Sequence, residues 1–180
     1  MGIKNLWSLT VDEALVADKI KSEFEKTKYE VFFPVNTQMK EVDMVFMNLE
    51  NNKTYTLQVK GSRTYEPKKS EKERYGNGSA AWFTITRKSI FEPTNKVDYY
   101  VFVLHSFVDG KLKKELKINY LILPNRDLMK VASKKILRKG GKFHFFIWVD
   151  PAGRRAFDFN NRNKEIPLSK YLDNWSILKE

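Results

Sequence analysis

The 180-residue sequence predicts an α/β domain, a helix laid across a strongly twisted, central mixed β-sheet flanked by helices. Three stretches carry that prediction. Residues 10–26 have helical spacing: Val16, Ala17, Ile20 and Phe24 share one face, and Thr10 with Glu13 match a capping box at its start. Residues 42–49 and 54–60 read as two strands joined at Asn51-Asn52, the first largely apolar and the second, TYTLQVK, alternating. Residues 97–104, VDYYVFVL, are almost wholly apolar, as a strand covered on both faces must be.

The remaining elements follow in order. Residues 29–33 (YEVFF) form a short strand stopped by Pro34, and 36–40 a loop. Residues 63–79 hold Pro67, Gly76 and Gly78 and few aliphatics, so they read as a long basic surface loop with room for a short helix. Residues 81–86 make a strand, and Ile90-Phe91 a short apolar patch. A turn at Asp109-Gly110 leads to a strand at 116–123 that ends at Pro124. Asn125 or Asp127 can cap a helix to about Lys139, with Leu128, Ala132 and Ile136 inward and Gly140-Gly141 at its end. Strands at 143–149 and 155–159 flank a turn at Pro151 and Gly153, and 168–178 close as a short helix and tail. No linker divides the chain, so 1–180 is expected to be one domain.

Composition narrows the function classes. The chain has no cysteine, which removes disulfide scaffolds, thiol chemistry and Cys-based zinc sites. No apolar stretch reaches membrane-spanning length and the start is no secretory signal, so a cytoplasmic, intracellular protein without a membrane partner is expected. The formal charge of +11 raises affinity for nucleic-acid phosphates. Thirteen Phe and eight Tyr argue for a folded domain rather than a disordered basic tail.

The chemistry concentrates between residues 41 and 62. If the strands at 42–49 and 54–60 pair, Asp43 and Gln58 lie near each other. Period two then places Gln58 and Lys60 on one face, with Leu57 and Val59 on the other. A carboxylate, an amide oxygen and an ammonium are thereby grouped where sheet packing requires none of them. Glu13 projects from the apolar face of the first helix, where it serves the cap or looks into what the helix packs on. Glu41 shares strand parity with Asp43 and is a lesser acid candidate. His105 and His144 are the two histidines, too few for a histidine metal cluster, and His144 reads as structural. Asp98 and Asp158 have no recognisable partner in sequence.

The ordered set of helix Glu13, an extended YEVFFP, Asp43, a hairpin and Gln58-Val59-Lys60 resembles the PD-(D/E)XK nuclease superfamily. Within it, the set is most similar to the archaeal Holliday-junction-resolvase-like and small restriction-type branch. The resemblance covers core motifs in residues 10–62; residues 63–180 would be family-variable additions. It implies a restriction-endonuclease-like core and catalytic roles for Glu13, Asp43, Gln58 and Lys60. Two departures stand out: Val42 precedes the aspartate where the named motif has proline, and Gln58 replaces an acid. The cofactor implied is Mg²⁺, with Mn²⁺ as a substitute. Its ligands would be Asp43, the Gln58 amide oxygen, the Val59 backbone carbonyl and Glu13, directly or through water. Lys60 would orient the attacking water and stabilise charge developing on phosphate.

The expected function is a metal-dependent DNA endonuclease, restriction-like or junction-resolving, acting as a homodimer on DNA. The alternatives are a catalytically inactive DNA-binding protein on the same scaffold, favoured by Gln58, and a ribonuclease. Candidate nucleic-acid contacts are Ser62, Arg63, Lys68, Lys69, Lys72, Arg74, Arg87 and Lys88, with the cations of 130–142 as a second surface.

Overall fold

A computed structural model describes residues 10–34, 41–65, 67–76, 78–94, 96–109, 114–150, 155–159 and 164–179. The expected loop at 36–40 and the turns at Gly110 and at Pro151 and Gly153 lie outside them. Among the described residues, nine strands join in one largely antiparallel sheet, accompanied by few helices: β1 (Tyr29–Phe32), β2 (Met44–Asn48), β3 (Thr54–Tyr65), β4 (Ser79–Thr86), β5 (Tyr99–Asp109), β6 (Lys114–Pro124), β7 (Lys142–Val149), β8 (Ala156–Phe159) and β9 (Glu165–Pro167). The helices are α1 (Val11–Glu23), α2 (Lys69–Tyr75), α3 (Arg87–Phe91) and α4 (Asn125–Ala132), and two 3-10 turns lie near the C-terminus.

The twelve-residue β3 is the spine. Its first part pairs with β2, Met44 opposite Leu57, and its middle runs parallel to β5 from Leu57–Tyr99 to Arg63–His105. Its last two residues, Thr64 and Tyr65, pair with β4, which hands on to β7, β8 and β9. One half of the sheet is therefore β1-β2-β3-β5-β6 and the other β4-β7-β8-β9, hinged on the end of β3.

Strand parity explains what covers each half. Val31, Met44, Phe46, Leu57, Val59, Val101 and Val103 face α1, whose Val16, Ala17 and Ile20 are buried against them. Phe24, the C-cap of α1, closes that layer against Tyr29 and Phe46, with ring centroids 5.1 and 4.8 Å apart. The other face carries Tyr100, Phe102 and Leu104, and onto it the second half-sheet folds. Phe83 of β4 and Phe145 of β7 reach Phe102 at 4.8 and 6.3 Å. Each of these fully buried rings contributes on the order of 1.5–3 kcal/mol by leaving water. Residues 99–104 are buried on both faces, as their apolar run predicts.

Several boundaries differ from the sequence expectation, for physical reasons. Helix α1 stops at Glu23 because Phe24 turns extended to enter the core. The segment 63–79 is not a single loop: β3 continues to Tyr65 because β4 takes up its edge, and α2 follows. Residues 87–91 coil into α3, whose N-cap Thr86 accepts the Ser89 N–H through its hydroxyl. Helix α4 ends at Ala132 rather than near Lys139, and Ile136 is exposed rather than inward. Among the described residues, no helix is long and apolar enough to cross a membrane.

Candidate functional site

The site arises where β2 runs out. Beyond Leu57, no described strand pairs with the β2-side edge of β3 until Thr64 meets β4. The last ladder bond on that edge is Asp43 N–H to Leu57 O at 2.9 Å. The next is made by a side chain: the Asp43 carboxylate accepts the Val59 N–H at 2.6 Å. The aspartate thus stands in for the missing strand. A residue's N–H and C=O leave a strand on the same side, so the Val59 carbonyl faces this gap too.

The ladder register ends at Met44 opposite Leu57, where the Asp43 N–H turns in to the Leu57 carbonyl; Gln58 and Lys60 share one face of β3. Leu57 and Val59 point to the α1 side, as period two requires. Gln58 is only 4% exposed, and its buried Oε1 has no hydrogen-bond partner among the described residues. Leaving such an acceptor unsatisfied costs about 1–3 kcal/mol. Lys60 is half-buried and makes no hydrogen bond or ion pair with any described residue.

The electrostatics converge on Asp43. Burial pushes its carboxyl above the ordinary carboxylate range; the Val59 N–H and the Lys60 ammonium oppose that, and the Glu13 charge adds to it. Lys60 and Glu13 are therefore both near enough to act on Asp43. Glu13 itself is occupied: its carboxylate accepts the Thr10 N–H at 2.9 Å, and the Thr10 hydroxyl accepts the Glu13 N–H at 3.3 Å. The capping role is realised, and no direct contact between Glu13 and Asp43 accompanies it. Glu41 is half-buried just before β2.

The helix is seated by Asp12 and Gly61, which the sequence did not single out, and by His105, which it read without a partner. His105 Nε2 and Asp12 Oδ1 lie 2.5 Å apart, joining β5 to the first turn of α1. This contact needs Gly61, because a Cβ there would lie 1.8 Å from Asp12 Oδ2. A glycine directly after Lys60 is the one signal in the sequence for such a close approach.

The candidate nucleic-acid residues divide among several surfaces. Ser62 lies on the Lys60 face, its hydroxyl donating to Arg63 O at 3.1 Å, while Arg63 leaves from the opposite face. Lys68, Lys69, Lys72 and Arg74 are exposed along α2 and its cap, and Arg87 and Lys88 are exposed on α3. Lys88 is 3.5 Å from Glu92, and the Arg87 guanidinium lies over the Phe91 ring at 6.0 Å.

The implied divalent cation meets a partial match. Asp43 and the Val59 carbonyl are hard oxygens at the edge gap, the Gln58 amide offers a third from the neighbouring residue, and Mg²⁺ bound through few protein ligands keeps several waters. Among the described residues, however, no three His, Asp or Glu side chains gather as a metal-holding group. The donor set is one carboxylate and neutral oxygens, which fits a weakly held ion. No protein-family model, curated protein or solved structure matches the chain at a significant level.

Proposed function

We propose that the chain is a metal-dependent DNA endonuclease with a restriction-endonuclease-like core, centred on Asp43, Gln58 and Lys60. The observation that carries this reading is the sheet fork: the partly buried Asp43 carboxylate bonds the β3 edge at Val59 and feels the Lys60 charge, and the neighbouring Gln58 has a buried amide oxygen with no partner among the described residues. A Mg²⁺ ion held there by Asp43, Gln58 and the Val59 carbonyl would supply phosphate charge neutralisation and an activated water. The chain's own contributions are separate. The Val59 N–H fixes the Asp43 carboxylate in one orientation. Lys60 offers its ammonium to the phosphate oxygens, where negative charge grows during displacement. Glu13 keeps the first turn of α1 closed and adds negative field at the site. The charge of +11 supports DNA as the substrate. A homodimer would place two such sites on paired strands.

A second reading has its own support. Gln58 is neutral and Glu13 is committed to the cap, so a DNA-binding protein without catalysis fits the same geometry. Supercoiled plasmid and four-way junction DNA, incubated with Mg²⁺, Mn²⁺ or chelator, separate the two. The nuclease reading expects metal-dependent nicking, reduced about 10²–10³-fold by Lys60→Ala, the scale for losing one transition-state contact, and at least as far by Asp43→Ala. Cutting that survives both substitutions sinks the site assignment. Binding without cutting in either metal establishes the second reading.

A further inference from the structure

The outer face of the second half-sheet carries an aromatic cleft unrelated to the fork. Strand parity sends Trp82 of β4 and His144 and Phe146 of β7 outward together. Trp82 stands edge-on to His144 at 5.1 Å and to Phe146 at 5.9 Å, yet remains 49% exposed. Phe159 packs on Phe146 at 5.6 Å from the β8 side. Helix α2 and the segment after α4 rise on either side, bringing Arg74 and Arg138 to the rim of a cleft of about 530 Å³. Lys135 and Glu71 also line it. Lys135 is neutralised by buried Asp158, and Glu71 accepts the Lys68 N–H, so Arg74 and Arg138 leave the rim net positive against the one Glu71 charge.

An exposed aromatic wall costs solvation unless something flat covers it, and two guanidiniums at its edge select an anion. Planar rings bearing phosphates satisfy both conditions. The volume lies within the ~300–1,000 Å³ usual for small-ligand clefts. Tyr65, at the far end of β3 from Lys60, touches Phe146 at 5.7 Å. By parity it leaves β3 from the face opposite Lys60.

We propose that this cleft is a second DNA site, which holds an unpaired nucleotide with its base against Trp82 and Phe146 and its phosphate on Arg74 and Arg138. The site requires a base and does not require cleavage at Asp43, so it stands or falls apart from the nuclease reading.

The test is fluorescence anisotropy of a short labelled single-stranded DNA in chelator, beside an abasic strand of equal length. Trp82→Ala should weaken binding about tenfold, within the range for losing one base stack, and Trp82→Phe should restore most of it. The abasic strand should bind wild type as poorly as the intact strand binds Trp82→Ala. Arg74→Ala with Arg138→Ala should weaken binding and flatten its salt dependence. Equal binding of intact and abasic strands, or of wild type and Trp82→Ala, overturns the proposal. A Trp82 effect without any metal-dependent cutting leaves the cleft standing and removes the nuclease.

Discussion

Two aspartates under the same sheet show how differently a buried carboxylate can be used. Asp158 is fully buried and fully engaged: one oxygen accepts the Phe146 and Phe159 N–H groups at 2.9 and 2.8 Å, the other the Lys135 ammonium at 2.6 Å. Lys135 is itself only 7% exposed and also donates to Phe159 O at 2.6 Å. Asp43 is less deeply placed yet less satisfied. Among the described residues its carboxylate has one hydrogen bond, from Val59, and a lysine that acts on it through space. Closed networks fix a fold, whereas an incomplete shell beside an orphaned oxygen leaves room for a ligand. The contrast is therefore between a carboxylate that holds β8 to β7 and one whose shell the proposed cation would complete.

The largest expected effect breaks the closed side. Lys135→Met removes the ammonium and strands a buried charge, which costs about 3–5 kcal/mol. For a domain of this size that lowers the melting temperature by roughly 6–20 °C. Lys60→Ala, by contrast, should leave stability within about 0.5 kcal/mol, because no described partner is lost. Thermal unfolding of the two variants side by side checks the difference. Similar losses from both would mean that Lys60 is structural and that the fork is not poised.

Much of this comparison was legible in the sequence, and the illegible part has a common cause. The capped helix, the paired strands around Asn51-Asn52, the buried 99–104 run and the facing of Gln58 and Lys60 all follow from local periods of 3.6 and 2. The end of β2 at Met44 and the handover of the β3 edge to β4 at Thr64 depend on which strands meet, and residues 63–65 therefore read as loop. The partner of Asp158 lies 23 residues away, and that of Asp12 lies 93 residues away, so no local pattern announces either. The outward alternation of His144, Phe146 and Trp148 was readable in FHFFIWV; that β4 would set Trp82 beside it was not. The divalent ion and the DNA rest on chemistry rather than on pattern.

A middle-sized effect tests how the helix is seated at the fork. Gly61→Ala places a methyl into the Asp12 carboxylate and must displace it from His105. Overpacking of this kind costs about 1–3 kcal/mol, offset in part by the roughly 0.5–1 kcal/mol that alanine gains over glycine within a strand. In an Asp12→Ala background the methyl finds space, so Gly61→Ala should cost nothing or stabilise. Denaturant unfolding of the four proteins in this cycle measures the coupling. An unchanged cost in the Asp12→Ala background would show that the clash lies elsewhere and that the Asp12–His105 contact does not seat α1.

The smallest effect is the most specific to Asp43. Its folded-state carboxyl titrates above the ordinary value of 3.8 because burial disfavours its charge. The folded protein therefore holds that proton more tightly than the unfolded chain. The sign follows from linkage: this group destabilises the fold at neutral pH, and the penalty fades as pH falls through the raised value toward the unfolded one. Asp43→Asn removes the charge while its amide oxygen can still accept the Val59 N–H. The variant should be slightly more stable than wild type at pH 7, with the advantage vanishing near pH 4 and below. Added Mg²⁺ should raise the wild-type melting temperature and leave Asp43→Asn unmoved, since an ion that binds only the folded state stabilises it in proportion to its affinity. Loss of stability in Asp43→Asn at neutral pH would make Asp43 a structural plug for the end of β2, like Asp158 in its own place, and would close the gap that the cation reading requires.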